Sequence, residues 1–371
     1  MPQTIHVWAP AFSSFGGGIT AFSRELAIAL QRQGHRLLLC GRNDRQGEWQ
    51  GMRVRGAGLI PGAGRKFAFA TMLLARVARE RPALVICTHP NFAPVARLAR
   101  LLLGVPYAVV AHGIDVHPAL SAAGIRALRD AAGVWAVSRW TRERCLAVGV
   151  APDRLRVVGN TVDDDRFSVA EPGADLRQQY GLADTDRILL TVARLDPDEQ
   201  YKGCENVMRA LATTKAGDQA VRYLIAGSGR DRPRLERLAV SLGVADRVTF
   251  CGFVADADLP DHYRLADVFV MPSRGEGFGI VFLEAMACGT PAVGGGVDGT
   301  RDALDDGALG LLVDPDNPQA IAYALVRLLQ GEGPAAWFDP RQLRDACLSR
   351  HGREVFSRRV GQAIESALEA A

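Results

Sequence analysis

The segment 267-DVFVMPSRGEGFGIVFLEAMACGTPAVGG-295 holds an apolar run, a glycine-rich turn, a helical pattern and a second apolar run. It reads as one strand–helix–strand unit: DVFVMPS, then a helix opening within EGFGIVFLE, then TPAVGG. Such a unit argues for a parallel sheet built from βαβ units. Glu276 stands at the mouth of the helix and Glu284 in its middle. A water-facing surface helix explains either residue, so the rest of the chain has to decide their meaning.

The same alternation runs outward in both directions. Toward the N-terminus lie TIHVWA, HRLLLC, ALVICTH, YAVVAHG, VWAVS and LRVVGN, separated by helical patterns at 20–33, 66–79, 93–103 and 141–148. The second half repeats the scheme with RILLTVARL, VRYLIAGSG, RVTFCGF, DVFVMPS, TPAVGG and LGLLV. Between the halves, DDDRFSVAEPGADLRQQYG is polar and carries Pro172 and Gly173, as a linker does. The reading is an α/β chain of two doubly wound, Rossmann-like domains facing each other across a cleft. Their expected bounds are 1–168 and 169–351, with 352–371 a C-terminal helix packing back on the first domain. Ligands in such sheets bind beyond the carboxyl ends of the strands, so the site is expected in the loops after strands.

Composition narrows the function classes. The 371 residues are 48% hydrophobic, enough for two cores. The first residues lack a charged segment followed by an apolar one, and no apolar run reaches the ~18–20 residues that span a bilayer. Seven scattered cysteines, with no Cys-x-x-Cys, fit reduced thiols in a cytoplasm. Net charge is +3, but residues 1–170 hold 22 Arg and Lys against 11 Asp and Glu, and the remainder 22 against 30. The first half is thus +11 and the second −8, which points to an anionic partner for the first. Its arginines lack interleaved aromatics, so nucleic acid is not expected. Lysine occurs only at 66, 202 and 215.

Two glycine-rich loops are suited to anions. FGGGITAFSRELAIAL follows the first strand, and Gly16-x-Gly18-x-x-Ala21 satisfies a dinucleotide fingerprint. At the end of the second strand, however, LLLCGRND places Arg42 before any carboxylate, which argues against a nicotinamide dinucleotide. In EGFGIVFLE, the amides of Gly279, Ile280 and Val281 begin a helix and are available to a phosphate. Eight helical residues rise by roughly 12 Å. Glycosidase carboxylate pairs are about 5–9.5 Å apart, so Glu276 and Glu284 fit two grips on an extended ligand better than an acid–nucleophile pair.

With these residues in view, the chain resembles the retaining glycosyltransferases of family 4, in the GT-B class. The most specific part is PSRGEGFGIVFLEAMACGTPAV, which matches the family's Glu-x7-Glu signature. AHGID, AVSRWTRE, NTVDDDRF, ARLDPDEQYKG, AGSG and GFV support it. The resemblance implies that Glu276 holds donor-sugar hydroxyls, Glu284 the nucleotide ribose, and the amides of Gly279, Ile280 and Val281 the distal phosphate. It makes Arg194 and Lys202 the paired cations on the leaving diphosphate, here eight positions apart where many members have a shorter interval. It sets His112 beside the donor sugar and Gly16, Gly17 and Gly18 along the diphosphate. Gly227 and Val254 would line the nucleotide, and Ser138 and Arg139 the acceptor.

The implied reaction moves a hexose from GDP-mannose or a UDP-hexose to an acceptor hydroxyl with retained configuration. No cofactor and no essential metal are expected. Asp163–Asp165, Asp196–Asp198, Asp256–Asp258 and Asp314–Asp316 imitate an Asp-x-Asp metal motif but lie in expected turns. His6, His35, His89, His117, His262 and His351 show no ligand spacing. Implied partners are the nucleotide-sugar donor, a sugar or lipid-linked acceptor, and an anionic membrane surface met by the N-terminal domain. The expected location is cytoplasmic and peripheral on the inner membrane face, in glycolipid or surface polysaccharide synthesis. The competing readings are a GT-B epimerase or phosphorylase and a non-catalytic sugar-nucleotide binder.

Overall fold

The apolar runs become strands of two separate sheets in the computed structural model, which describes residues 2–13, 17–62, 64–116, 120–173, 175–214 and 220–370. The chain divides into two units, Met1–Thr161 with Arg353–Ala371, and Val162–Gly352. The boundary expected at 168 therefore falls within the second unit, because the division precedes the polar DDDRF stretch.

The first sheet contains β1 (Thr4–Ala9), β2 (Arg36–Gly41), β3 (Gly47–Trp49), β4 (Met52–Gly56), β5 (Leu84–Cys87), β6 (Tyr107–Ala111), β7 (Gly133–Ala136) and β8 (Leu155–Val157). Its order is β3-β4-β2-β1-β5-β6-β7-β8. All pairings are parallel except β3–β4, an edge hairpin absent from the sequence reading. Gln50 and Gly51 turn it with φ of 48° and 73°, the positive values that a two-residue hairpin loop requires. The order reverses between β1 and β5, so the loops after those strands flank the point where such sheets bind ligands. Trp8, Val109, Tyr107 and Val134 fill the core, and the Tyr107 hydroxyl donates to the Ala127 carbonyl at 2.6 Å.

The C-terminal helix Arg353–Glu369 belongs to this unit and packs against helix Gly18–Arg32 and β7. A buried ion pair fixes its start: Arg353 donates from Nε and Nη2 to the two Glu25 carboxylate oxygens at 2.7 and 2.8 Å. Bidentate geometry of this kind offsets the desolvation of both charges, whereas losing one partner would strand the other.

The second sheet contains β9 (Arg187–Val192), β10 (Val221–Ala226), β11 (Val248–Gly252), β12 (Val268–Met271), β13 (Ala292–Gly295) and β14 (Leu311–Val313). Its order, β11-β10-β9-β12-β13-β14, is wholly parallel and matches the dinucleotide-fold arrangement, with its reversal between β9 and β12. The opening segment supplies β12, helix Ile280–Ala287 and β13. Phe282, Leu283, Ala285 and Met286 of that helix are fully buried, and Phe282 meets Phe269 edge-on at 5.2 Å. No described helix is long and apolar enough to cross a membrane.

Candidate functional site

The reversal in the second sheet decides what comes together. The loop after β9 carries Arg194 and Lys202, and the loop after β12 carries Glu276 and the helix N-terminus. The two loops are stitched at the backbone: the Arg274 amide donates to the Tyr201 carbonyl at 2.9 Å. Gly203, directly after Lys202, has φ +80°, and a Cβ there would lie 2.3 Å from the Pro272 carbonyl oxygen. Only glycine permits this approach. The interval from Arg194 to Lys202 is therefore an ordered turn over Pro197–Lys202, and Lys202 is largely covered while Arg194 is exposed.

Glycine also sets the helix start. Gly279 has φ +89° and precedes helix Ile280–Ala287 without a side-chain cap. The Phe282 amide returns to the Gly279 carbonyl at 3.0 Å, leaving the amides of Ile280 and Val281 without intrahelical partners. These donors and the helix dipole favour an anion.

Glu276 is held at both ends of its peptide. Its N–H donates to Asp298 Oδ2 at 2.7 Å, and its carbonyl accepts from the Gly299 amide at 2.9 Å. Asp298 is 1% exposed and also accepts from Ser273 Oγ at 2.7 Å and the Thr300 amide at 3.0 Å. It is the positioning residue of the loop, and the sequence reading did not find it. Burial pushes the Glu276 carboxyl above its ordinary range, against the pull of the Lys202 ammonium. Glu284, 7% exposed, accepts from the Tyr263 hydroxyl at 2.7 Å, and burial raises its carboxyl as well. Gly227 follows β10 and donates to the Gly252 carbonyl at 2.7 Å, and Val254 is half-buried after β11.

The first unit presents its own set at the carboxyl ends of its strands. Gly17 and Gly18 begin helix Gly18–Arg32 and are exposed, whereas Gly16 lies outside the described residues. His112 follows β6, with Nε2 2.9 Å from the Thr88 carbonyl. A carbonyl only accepts, so Nε2 carries the proton and Nδ1 is the acceptor. Burial lowers the imidazole to about 4, so it is neutral at pH 7. Asp115 takes the His112 amide at 2.9 Å, and burial lifts its own carboxyl to about 6. Asp44, 1% exposed, accepts from the Phe12 amide at 2.6 Å and the Ser13 hydroxyl at 2.9 Å, fixing the loop after β1. Ser138 is fully buried, and its Oγ accepts the Thr141 amide at 3.0 Å as a helix cap. Contact of that hydroxyl with an acceptor would require the cap to open. Arg139, beside it, is exposed.

Other expected features have plainer roles. His262 bonds Tyr180, His89 caps a short turn, and His6 pairs with Glu80, while His117 lies outside the described residues. Six cysteines are buried, and burial pushes the Cys40, Cys145 and Cys347 thiols up to about 12. Asp314 Oδ1 accepts the Asp316 amide at 3.0 Å, a turn contact. Among the described residues, Asp163, Asp164 and Asp165 alone form an acidic group able to hold a metal ion, with ligand atoms within 4.8 Å of one another.

Comparison with known proteins follows the same division. Residues 16–166 match the family described as Glycosyltransferase Family 4, and residues 174–343 match Glycosyl transferases group 1. A D-inositol 3-phosphate glycosyltransferase of Geodermatophilus obscurus is 40% identical over 190 residues, covering 49% of this chain and 41% of that protein. A GDP-mannose-dependent alpha-(1-6)-phosphatidylinositol monomannoside mannosyltransferase of Mycolicibacterium smegmatis is 35% identical over 237 residues, 61% of each chain. The matches thus span only part of these relatives' lengths. Anabaena HepE with UDP and glucose shares the fold at TM-score 0.79 and 20% identity, covering 98% of this chain and all of that one. Sucrose-phosphate synthase of Thermosynechococcus elongatus does so at 0.80 and 24%, with both chains fully covered.

Proposed function

Because the chain belongs to glycosyltransferase family 4, we propose that it transfers a hexose from a nucleoside diphosphate sugar to an acceptor hydroxyl, with retention and without a metal. The observation that carries this reading is the grouping at the β9–β12 reversal: two cations, a clamped glutamate and an uncapped helix N-terminus. Arg194, Lys202 and the helix amides would take the charge that develops on the departing diphosphate, the place where preorganised electrostatics lowers a barrier most. Glu276 would hold donor hydroxyls, Glu284 the ribose, and neutral His112 the sugar through Nδ1. Departing phosphate would accept the acceptor's proton on the same face. The test is a thermal-shift panel of UDP, GDP, ADP and their hexose conjugates, followed by transfer assays in EDTA. Stabilisation by one nucleotide series and full activity in EDTA are expected. No stabilisation by any of them, or an absolute need for Mg²⁺ or Mn²⁺, would contradict the reading.

The acceptor is proposed to be anionic and lipid-linked, in glycolipid or surface polysaccharide assembly. The +11 first half supports this, as do the phosphorylated inositol compounds in the relatives' names. The basic and apolar segment 64-GRKFAFATMLLARVAR-79 of the first unit is divided between core and surface. Phe69 is core at 2% exposed, but Phe67 is 78% exposed beside exposed Lys66. On the next helix Arg97 pairs with Asp130 at 2.6 Å, and Leu101 and Leu102 are exposed. A mix of cations and bare apolar side chains suits the interface of an anionic bilayer. Flotation with anionic vesicles at low salt is expected, lost in high salt and absent with neutral vesicles. Remaining in the soluble fraction with anionic vesicles would rule out the membrane surface.

A further inference from the structure

The long interval between Arg194 and Lys202 contains a carboxylate that joins them. Glu199 is 9% exposed, and each of its oxygens serves one cation: Oε1 meets Arg194 Nη2, and Oε2 lies 3.0 Å from Lys202 Nζ. A kink at Glu199, φ −114° and ψ 15°, interrupts the helical turn that carries it. The Lys202 contact has the closeness of an ion pair without hydrogen-bond alignment, which makes it easy to exchange. The turn itself is held by other groups. Gln200 Nε2 donates to Asp231 at 3.1 Å, the Glu199 amide to Asp196 at 2.9 Å, and the Tyr201 carbonyl accepts from Arg274. Glu199 is therefore not needed to shape the loop; its carboxylate acts on the two cations.

We infer that Glu199 is an internal counter-ion of the leaving-group cations, occupying them in the free protein and competing with the nucleoside diphosphate for them. This rests on the donor reading above. A diphosphate that reaches Arg194 and Lys202 must displace the carboxylate or lie beside it, and like charges at such range repel. Bound donor is weakened, and spent nucleotide leaves faster as Glu199 recloses on the cations. The sign separates this role from a purely structural one: a residue that only held the cations in place would, when neutralised, weaken nucleotide binding.

Titration calorimetry of UDP, GDP and ADP with the full chain, Glu199→Gln and Glu199→Ala provides the test. Both variants are expected to bind the wild type's preferred nucleotide roughly tenfold more tightly, the scale of one charge-assisted contact. Their affinity should also fall more steeply with salt, and melting of the Gln variant should stay near wild type. Wild-type binding that is unchanged or weakened in a folded Gln or Ala variant overturns this inference alone. Absence of binding to all three nucleotides in the wild type and both variants overturns the donor reading and this inference with it.

Discussion

Lys202→Ala is expected to lose roughly a hundredfold or more in transfer rate while keeping its fold. The side chain is 16% exposed, lies beside Glu199 and pulls down the Glu276 carboxyl, so its charge acts inside the grouping at the β9–β12 reversal. A preorganised charge in a water-poor site needs no reorganisation as the leaving group becomes anionic, and removing it costs mainly transition-state stabilisation. Lys202→Arg should recover only part of the rate, because a planar fork replaces a compact point charge under the Tyr201 ring, whose centroid lies 6.0 Å from Nζ. Arg194→Ala should act in the same direction, with exposure of that side chain reducing the effect. Initial rates at saturating donor, with melting curves as a fold control, decide the matter. Wild-type turnover in a folded Lys202→Ala variant would detach this lysine from the reaction.

What could be read in the chain, and what could not, follows from the range of the interactions. The twelve runs named as strands are apolar and contiguous, and that pattern is local, although the edge strands β8, β11 and β14 are only partly buried. The β3–β4 hairpin escaped because GEW and MRVRG are short and half polar, and its turn depends on Gln50 adopting a left-handed backbone. Glu276 and Glu284 stood out because their motif is contiguous, and Lys202 because it lies in a separate contiguous stretch, ARLDPDEQYKG. Asp298 was not: its bond to the Glu276 amide spans 22 residues, and nothing in VDGT announces it. The same holds for Asp44, whose partners lie 31 and 32 residues away across the sheet. Glu199 sat inside a quoted motif, yet in DPDEQYK it looks like an ordinary turn acid until the kink turns its carboxylate onto both cations. Ser138 carried a second legible signal, since Ser followed by a helical pattern is first of all a cap.

Glu276 and Glu284 are expected to separate chemistry from nucleotide affinity. Glu276→Ala should lower turnover by roughly a hundredfold, since its clamped peptide presents the carboxylate beside Lys202, while nucleoside diphosphate affinity changes little. Glu284→Ala should weaken that affinity by about 1.5–3 kcal/mol, the worth of a charged hydrogen bond, because the Tyr263 hydroxyl occupies only Oε2. Equal losses of free nucleotide binding in both variants would dissolve this division. The pH dependence of stability adds a check with a definite sign. Both carboxyls are raised above their ordinary value of 4.5 by burial, so the folded state holds their protons more tightly than the unfolded chain does. Their favourable contribution is full below that value and is lost as pH rises through the raised folded values. Glu276→Gln and Glu284→Gln should therefore melt higher than wild type in neutral buffer, with the advantage shrinking as pH falls toward 4.5. A Gln variant that gains stability while losing turnover or nucleotide affinity would mean that its carboxylate is kept charged and buried for a ligand. Loss of both stability and function would return that glutamate to an ordinary structural role.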